Sequence, residues 1–227
     1  MPNVEEKIEK FIISRERSTL TDWKNIGDIN RVEDVEELYL DSLKERFSED
    51  LPELSGFKIV LDCAQGAMYK VGPQIFNEMG ADVTEIGVNP TGFNINQDCG
   101  STSLGRLKSE VLSQEADVGI AFDGDGDRAL FIDEEGEEID GDRVLYMASK
   151  WMLNRGTLKP ATVISTVMSN LGLEKSLSEL GIDLIRTQVG DKYVAQEILE
   201  REALLGGEQS GHLIFREINT TGDGLVT

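Results

Sequence analysis

Three aspartates at alternate positions form a dense cluster of candidate functional groups. Asp123, Asp125 and Asp127 are separated by Gly124 and Gly126. Because like charges this close repel, each carboxylate needs water or a counterion. The segment is therefore either an acidic surface turn or a metal site. The glycines allow backbone conformations in which the carboxylates converge on one point, and three hard oxygen ligands with open positions favour Mg²⁺.

A calcium-binding EF-hand loop is the main alternative metal site. The aspartate spacing matches its start, and Glu134 falls at its twelfth position. However, the sixth position requires glycine and is occupied by Arg128. The flanking segments are also typical of strands rather than helices. We therefore favour Mg²⁺. Arg128 is then either a structural counterion or a group that binds a phosphate beside the metal.

A second cluster lies in GGEQSGHLIF, residues 206–215. Glu208, Ser210 and His212 alternate, so all three are expected on the same side of an extended segment. A carboxylate and a hydroxyl together suit hydrogen bonding to sugar hydroxyls. His212 is the single histidine of the chain. On its own, a histidine beside an apolar strand is more typical of a structural group than of a catalytic one.

VGDKYV, residues 189–194, joins a predicted strand to a predicted helix. Gly190 and Asp191 are ordinary residues for a helix start, and Asp191 is predicted to be the N-cap. Backbone N–H groups at such a position can also bind an anion. Without further context, the pattern favours capping.

The elements that must position these groups alternate between strands and helices. The predicted strands lie at 57–63, 81–88, 116–122, 161–168 and 182–189, with hairpins around 135–136 and within 203–215; the predicted helices lie at 3–12, 32–47, 67–80, 104–114, 141–153, 170–181 and 190–202, and 15–28 is a predicted linker. This alternation is typical of an α/β fold, here two consecutive three-layer domains with mixed, mostly parallel sheets. A strand that ends at Phe122 places the aspartates at the carboxyl edge of a sheet, where such folds bind ligands.

Composition excludes several classes of function. The chain has 227 residues, 39% of them hydrophobic, and a net charge of −21, which argues against nucleic acid as a partner. It contains no apolar run long enough to span a membrane, and its charged first residues do not resemble a secretory signal. Two distant cysteines, Cys63 and Cys99, do not form a disulfide framework, so a reducing cytoplasm is expected. Cys63 ends an apolar run and is predicted to be a buried thiol.

Taken together, FDGDGDR, GGEQSGH and NTTGDG resemble the motifs of the α-D-phosphohexomutases. KIVLDCAQGAMYKVGP, NINQDCGST and VMSNLGLE match the same branch, so the resemblance covers nearly the whole chain. Gln209, where phosphomannomutases usually have Met, favours the branch of the phosphoglucosamine mutases. One departure is Ser103, where that branch has His after GST.

The resemblance implies an enzyme and a reaction. The expected activity is a Mg²⁺-dependent, cytoplasmic interconversion of glucosamine 6-phosphate and glucosamine 1-phosphate, through a phosphoserine and a bisphosphate intermediate, in the synthesis of amino sugars for cell-wall precursors. A phosphorylated hexosamine is thus the expected partner. Two alternatives stay open: a phosphomannomutase or phosphoglucomutase, and a non-catalytic metal-binding module of the same fold.

The resemblance also implies roles for the residues singled out above. Asp123, Asp125 and Asp127 would hold the metal, which offsets charge on the transferring phosphoryl group. Glu208 and Ser210 would hold sugar hydroxyls. Arg128, Asp191 and Lys192 match positions that line the active-site cleft in this family. Arg128 and His212 are the candidate catalytic residues. His212 could act there as acid, base or scaffold.

Enzymes of this family have four domains around one cleft. Two of their loops, of the types T-x-S-H-N-P and R-x-S-G-T-E, are not found in this sequence. We therefore expect 1–25 to be the tail of the first domain and a linker, 26–137 to be the second domain with the metal loop, and 138–227 to be the third domain with the sugar loop, truncated at its C-terminal end. By itself, the chain is expected to be inactive, because the phosphoserine and the distal phosphate loop are missing.

Overall fold

The computed structural model describes residues 2–14, 22–47 and 51–227. It divides into two compact units, residues 1–35 and 36–227. Within the described residues, no helix combines the length and the apolar character that crossing a bilayer requires.

The smaller unit contains the first predicted helix, α1 (Pro2–Ser14). Its apolar positions Val4, Ile8, Phe11 and Ile12 follow the predicted helical spacing, and all four side chains are exposed. Of the predicted linker, residues 15–21 lie outside the described residues, and Trp23–Asn25 form a short 3₁₀ helix.

The first sheet of the larger unit has five strands in the order β2-β1-β3-β4-β5. The strands are β1 (Lys58–Asp62), β2 (Asp82–Ile86), β3 (Val118–Phe122), β4 (Ala129–Asp133) and β5 (Glu138–Ile139), and the helices are α2 (Val35–Arg46), α3 (Val71–Glu78) and α4 (Gly105–Gln114). β2, β1 and β3 are parallel, whereas β3–β4 and β4–β5 are antiparallel. The hairpin predicted around 135–136 joins β4 to β5, whereas the antiparallel pairing of β3 with β4 across residues 123–128 was not predicted, so this sheet is evenly mixed.

Two predicted helices differ from their observed bounds. α2 begins at Val35 rather than Val32, since Asp34 has a φ of 61°, which is incompatible with a continuous helix. The segment 67–80 is not one helix, because Ala67–Tyr69 form a 3₁₀ helix that precedes α3.

The second sheet has four strands in the order β7-β6-β8-β9. The strands are β6 (Thr162–Thr166), β7 (Asp183–Thr187), β8 (Leu205–Gly207) and β9 (Leu213–Phe215), and the helices are α5 (Gly141–Asn154), α6 (Leu171–Glu179) and α7 (Asp191–Arg201). β6 pairs with β7 and β8 in parallel, and β8 pairs with β9 antiparallel. The prediction of a mostly parallel sheet is therefore confirmed here.

Each sheet is buried on both faces, which gives the three layers. Along β1, Ile59 and Leu61 belong to one apolar cluster and Val60 to another, because successive strand side chains point to opposite faces. Val163 and Ile164 divide in the same way in β6. Phe131 packs against the cores of both sheets and so links them.

Candidate functional site

The structure brings the three predicted metal ligands together. β3 ends at the buried Phe122, and Asp123 follows directly. One carboxylate oxygen from each of Asp123, Asp125 and Asp127 lies within 4.8 Å of the others. Asp123 is only 2% exposed, whereas Asp125 faces solvent. The loop thus forms an acidic cluster that is buried at one end and open at the other.

The backbone of this loop is folded around Asp123. Its Oδ1 accepts hydrogen bonds from the N–H groups of Gly126 at 3.1 Å and Arg128 at 3.2 Å. Gly126 has a φ of 80°, and a Cβ there would lie 2.6 Å from Cε of Met68. The positive φ therefore favours glycine, and a larger residue would also require the Met68 side chain to move.

Arg128 lies beside the cluster as a counterion. Its Nε is 2.7 Å from Oδ2 of Asp123 and 3.5 Å from Oδ1 of Asp127. Burial by itself lowers the pKa of Arg128, but the two carboxylates outweigh this effect and raise the pKa overall. The structure therefore favours the counterion interpretation of Arg128 in the protein without ligands.

Among the described residues, two buried oxygens of the cluster have Arg128 as their partner and no other hydrogen-bond donor. These are Oδ2 of Asp123 and Oδ1 of Asp127, and the positive charge of Arg128 lies beside both. Buried carboxylate oxygens normally have hydrogen bonds or bind metals. Two such oxygens with a third carboxylate nearby are a suitable donor set for a hard divalent cation.

His212 contacts Asp127 in the aspartate loop and is not a lining residue of the pocket next to Glu208 and Ser210. It is 3% exposed, and its Nδ1 lies 2.9 Å from Oδ2 of Asp127. The expectation that Glu208, Ser210 and His212 share one side is wrong. Gly211, with a φ of 93°, forms a turn in which its N–H donates to the carbonyl of Glu208 at 3.0 Å, and this turn interrupts the alternation.

Glu208 and Ser210 line a separate pocket of about 390 Å³. Its lining residues come from the ends of three strands of the second sheet: Thr166, Met168, Val189, Glu208, Gln209 and Ser210. Oε1 of Glu208 accepts a hydrogen bond from the N–H of Gly190 at 3.1 Å. The pocket thus offers a carboxylate, an amide and a hydroxyl next to apolar side chains, which suits a polyhydroxylated ligand.

Asp191 and Lys192 are not among the residues that line this pocket. Both are exposed at the start of α7. The predicted capping role of Asp191 is wrong, because Gly190 is the N-cap and Asp191 is the first helical residue. Oδ1 of Asp191 accepts a hydrogen bond from the N–H of Lys192 at 2.7 Å. Its charge is still favourable near the helix N-terminus.

Several residues with a role around the site did not stand out in the sequence. Asp140 caps α5 and accepts a hydrogen bond from the side chain of Gln209. An Asp directly before a predicted helix is a signal from which the capping role of Asp140 could have been predicted. Tyr39 donates to both oxygens of Asp223, 184 residues away. No local pattern predicts a contact at that separation.

Two family models match the chain. Residues 37–136 match the α/β/α domain II of phosphoglucomutase/phosphomannomutase, and residues 140–227 match domain III of the same family. The first matched range contains most of the first sheet, and the second range contains the whole second sheet. The fold and the site therefore define two consecutive domains of a phosphosugar mutase. The chain belongs to the phosphoglucomutase/phosphomannomutase family, the α-D-phosphohexomutases.

Curated relatives support the same placement. A phosphoglucosamine mutase of Parvibaculum lavamentivorans is 45% identical over 98% of this chain and 50% of its own length. Those of Geobacter sp. strain M21 and Hydrogenovibrio crunogenus are 47% and 49% identical, over 97% and 89% of this chain. The chain spans about half the length of the curated relatives it matches.

Solved structures share the fold. A phosphoglucomutase/phosphomannomutase family protein of Burkholderia thailandensis aligns with a TM-score of 0.80 over 99% of this chain and 47% of its own, at 23% identity. A putative phosphomannomutase of Thermus thermophilus aligns with a TM-score of 0.75 over 88% of this chain, at 20% identity. At these identities the likeness establishes the fold alone.

Proposed function

We propose that this chain is the central part of a Mg²⁺-dependent phosphoglucosamine mutase, which interconverts glucosamine 6-phosphate and glucosamine 1-phosphate in the cytoplasm. The observation that carries the proposal is the convergence of three carboxylates, from Asp123, Asp125 and Asp127, on one point with Arg128 as the counterion beside them. The names of relatives at 45% to 49% identity support the choice of substrate. The proposed domains are 26–137 and 138–227, preceded by a segment at 1–25.

In the proposed site, Asp123, Asp125 and Asp127 hold Mg²⁺. A divalent cation there would offset the negative charge of a phosphoryl group during its transfer. Arg128 is 38% exposed at its side chain, so it can keep its ion pair and still reach an anion beside the cluster. His212 fixes the orientation of Asp127 through Nδ1, which favours a scaffold role over that of an acid or base.

The pocket beside the cluster is the proposed site for the sugar. Oε1 of Glu208 is held by Gly190, and its second oxygen and the Ser210 hydroxyl are assigned to sugar hydroxyls. Asp191 and Lys192 lie at the exposed start of α7, where the Lys192 ammonium is assigned to the outer part of the phosphosugar. Because the segments that carry these groups follow strands of one sheet, a common scaffold holds them.

The proposal is tested by NMR titration of the ¹⁵N-labelled chain with glucosamine 6-phosphate and, in parallel, with glucose 6-phosphate and mannose 6-phosphate. We expect shifts centred on residues 208–211 and the strongest binding for the glucosamine ester. Glu208→Gln should abolish these shifts, whereas Glu217→Gln, an exposed residue outside the pocket, should leave them unchanged. Stronger binding of mannose 6-phosphate would assign the chain to the phosphomannomutase branch and contradict the proposed substrate.

The chain by itself is expected to show no turnover, because its sequence has no T-x-S-H-N-P loop to carry the phosphoryl group. Incubation with glucosamine 6-phosphate, Mg²⁺ and catalytic glucose 1,6-bisphosphate, followed by ³¹P NMR, should show no 1-phosphate. Conversion by the purified chain would refute the assignment of the phosphoryl carrier to a missing loop.

A further inference from the structure

The first turn of α5 lies against two of the three loops that line the proposed sugar pocket. Residues 208–211 follow β8, and residues 167–170 follow β6; both segments contribute lining residues. Hydrogen bonds connect Asp140 and Gly141 to the first loop and Asp142 to the second. None of these three residues lines the pocket itself.

Asp140 uses its two carboxylate oxygens for different partners. Oδ1 accepts the N–H of Arg143 at 3.0 Å, which caps α5. Oδ2 accepts the side-chain amide of Gln209 at 3.0 Å. A charged acceptor makes a stronger hydrogen bond than a neutral one. The carboxylate therefore connects the helix start directly to the centre of the 208–211 loop.

Gly141 allows the same loop to approach the helix backbone. Its N–H donates to the carbonyl of Gln209 at 2.9 Å. A Cβ at this position would lie 2.1 Å from the carbonyl oxygen of Glu208, which no side chain can tolerate. The loop is thus held at Gln209 by both a side-chain and a backbone hydrogen bond.

Asp142 makes the corresponding contact with the second loop. It is 2% exposed, and its Oδ2 accepts the N–H of Asn170 at 2.7 Å. Asn170 in turn caps α6 by accepting the N–H of Leu173 at 2.9 Å. This contact fixes the end of the loop that contains Met168, a lining residue of the pocket.

We propose that Asp140 is a positioning residue for the pocket, which acts through Gln209 and sets the place of Glu208 and Ser210. Sugar binding by Glu208 and Ser210 rests on the proposed function. The positioning of these residues by Asp140 does not depend on it. Gln209, which distinguishes this branch of the family, thereby has a physical role as the hydrogen-bond donor to Asp140. A Met at this position could not donate to Asp140.

The test exchanges the two partners. Asp140→Asn keeps a good N-cap, because Asn and Asp cap helices equally well, and it serves as a control, because the Gln209 amide can turn its oxygen toward the new donor. Gln209→Glu places two carboxylates against each other. The double variant Asp140→Asn/Gln209→Glu restores one donor and one acceptor and should therefore restore the contact.

The first readout is amide hydrogen exchange measured by NMR, without any ligand. Gln209→Glu should increase exchange at Gly211 and Gly190 about tenfold, whereas Asp140→Asn should change it by less than about twofold. The amides of Gly126 and Arg128, held by Asp123, serve as references and should not change. In the double variant, exchange should return to within about twofold of the parent chain.

Unchanged exchange at Gly211 and Gly190 in Gln209→Glu would overturn the inference, and so would an equal increase at the reference amides. The second readout is the affinity for glucosamine 6-phosphate, expected to fall about tenfold in Gln209→Glu and to recover in the double variant, which carries the same Glu at position 209. If the parent chain binds no sugar phosphate, the proposed function fails, and hydrogen exchange alone still decides whether Asp140 positions the loop.

Discussion

Removing the exposed ligand of the aspartate cluster should separate metal binding from folding. Asp125 faces solvent, and its carboxylate takes part in none of the hydrogen bonds or ion pairs found among the described residues. Asp123, in contrast, organises the loop backbone. We therefore predict that Asp125→Asn leaves the fold intact and abolishes most of the response to Mg²⁺.

The expected magnitude follows from the geometry of the cluster. Carboxylate oxygens within 4.8 Å of one another repel by about 3 kcal/mol per pair at an effective dielectric constant of about 20, and less where water screens Asp125. The variant without metal should therefore be at least as stable as the parent. If Mg²⁺ binds with a Kd of about 1 mM, 10 mM Mg²⁺ stabilises the parent by about 1.4 kcal/mol. For a chain of this size, that raises the Tm by about 3–6 °C.

Differential scanning calorimetry with and without 10 mM MgCl₂ measures both effects. The parent chain and Glu134→Gln, a control that removes an exposed charge outside the cluster, should show the increase in Tm. Asp125→Asn should show less than about a third of it, since the remaining ligands bind more weakly. A full Mg²⁺ response in Asp125→Asn would refute the assignment of the metal to this cluster.

The remaining predictions concern the groups that hold the loops. His212→Leu should weaken Mg²⁺ binding, measured by calorimetric titration, about tenfold, whereas His212→Asn, which keeps a donor, should weaken it less; equal effects would argue against orientation through Nδ1. Gly211→Ala should lower the free energy of unfolding, measured in urea, by about 2–4 kcal/mol, because the φ of Gly211 is 93° and a Cβ there would contact the backbone carbonyl of Ala129. Gly105→Ala is the control and should be neutral or stabilising, because a Cβ at Gly105 meets no neighbouring atom. A neutral Gly211→Ala would contradict the positive φ and close contact assigned to this turn. Tyr39→Phe should cost about 1.5–3 kcal/mol, since Tyr39 donates to the buried Asp223. Burial and the Asp223 carboxylate raise the pKa of Tyr39. The free energy of unfolding should therefore decrease as the pH rises above about 10, where a tyrosine in the unfolded chain ionises, and the decrease should be smaller in Tyr39→Phe. Identical pH profiles for the two chains, in urea titrations from about pH 9 to 11, would count against the contact.

The sequence predicted the elements well because hydrophobic periodicity is local. β1, β3 and β6 were identifiable as short apolar runs, and each is buried on both faces. Cys63 is a fully buried thiol, as its position after β1 predicted, and burial raises its pKa. What failed were the ends of elements, such as the start of α2, where a single positive φ at Asp34 decides the boundary.

The site was only partly predictable, for physical reasons that differ by residue. The convergence of the three aspartates could be inferred, because alternate spacing with glycine restricts where the carboxylates can point. The orientation of His212 could not, since the turn at Gly211 reverses the expected alternation and directs the ring toward Asp127. The links Tyr39–Asp223 and Asp140–Gln209 depend on how distant segments pack, and spacing along the chain carries no information about either.

The central claim is that Asp123, Asp125 and Asp127 together bind one divalent cation, and crystallography with Mn²⁺ in place of Mg²⁺ tests it most directly. Anomalous diffraction from crystals of the chain soaked in MnCl₂ should show a single strong peak that is coordinated by carboxylate oxygens of all three aspartates. A peak at another site, or none at the cluster when Mn²⁺ is saturating, would contradict the account.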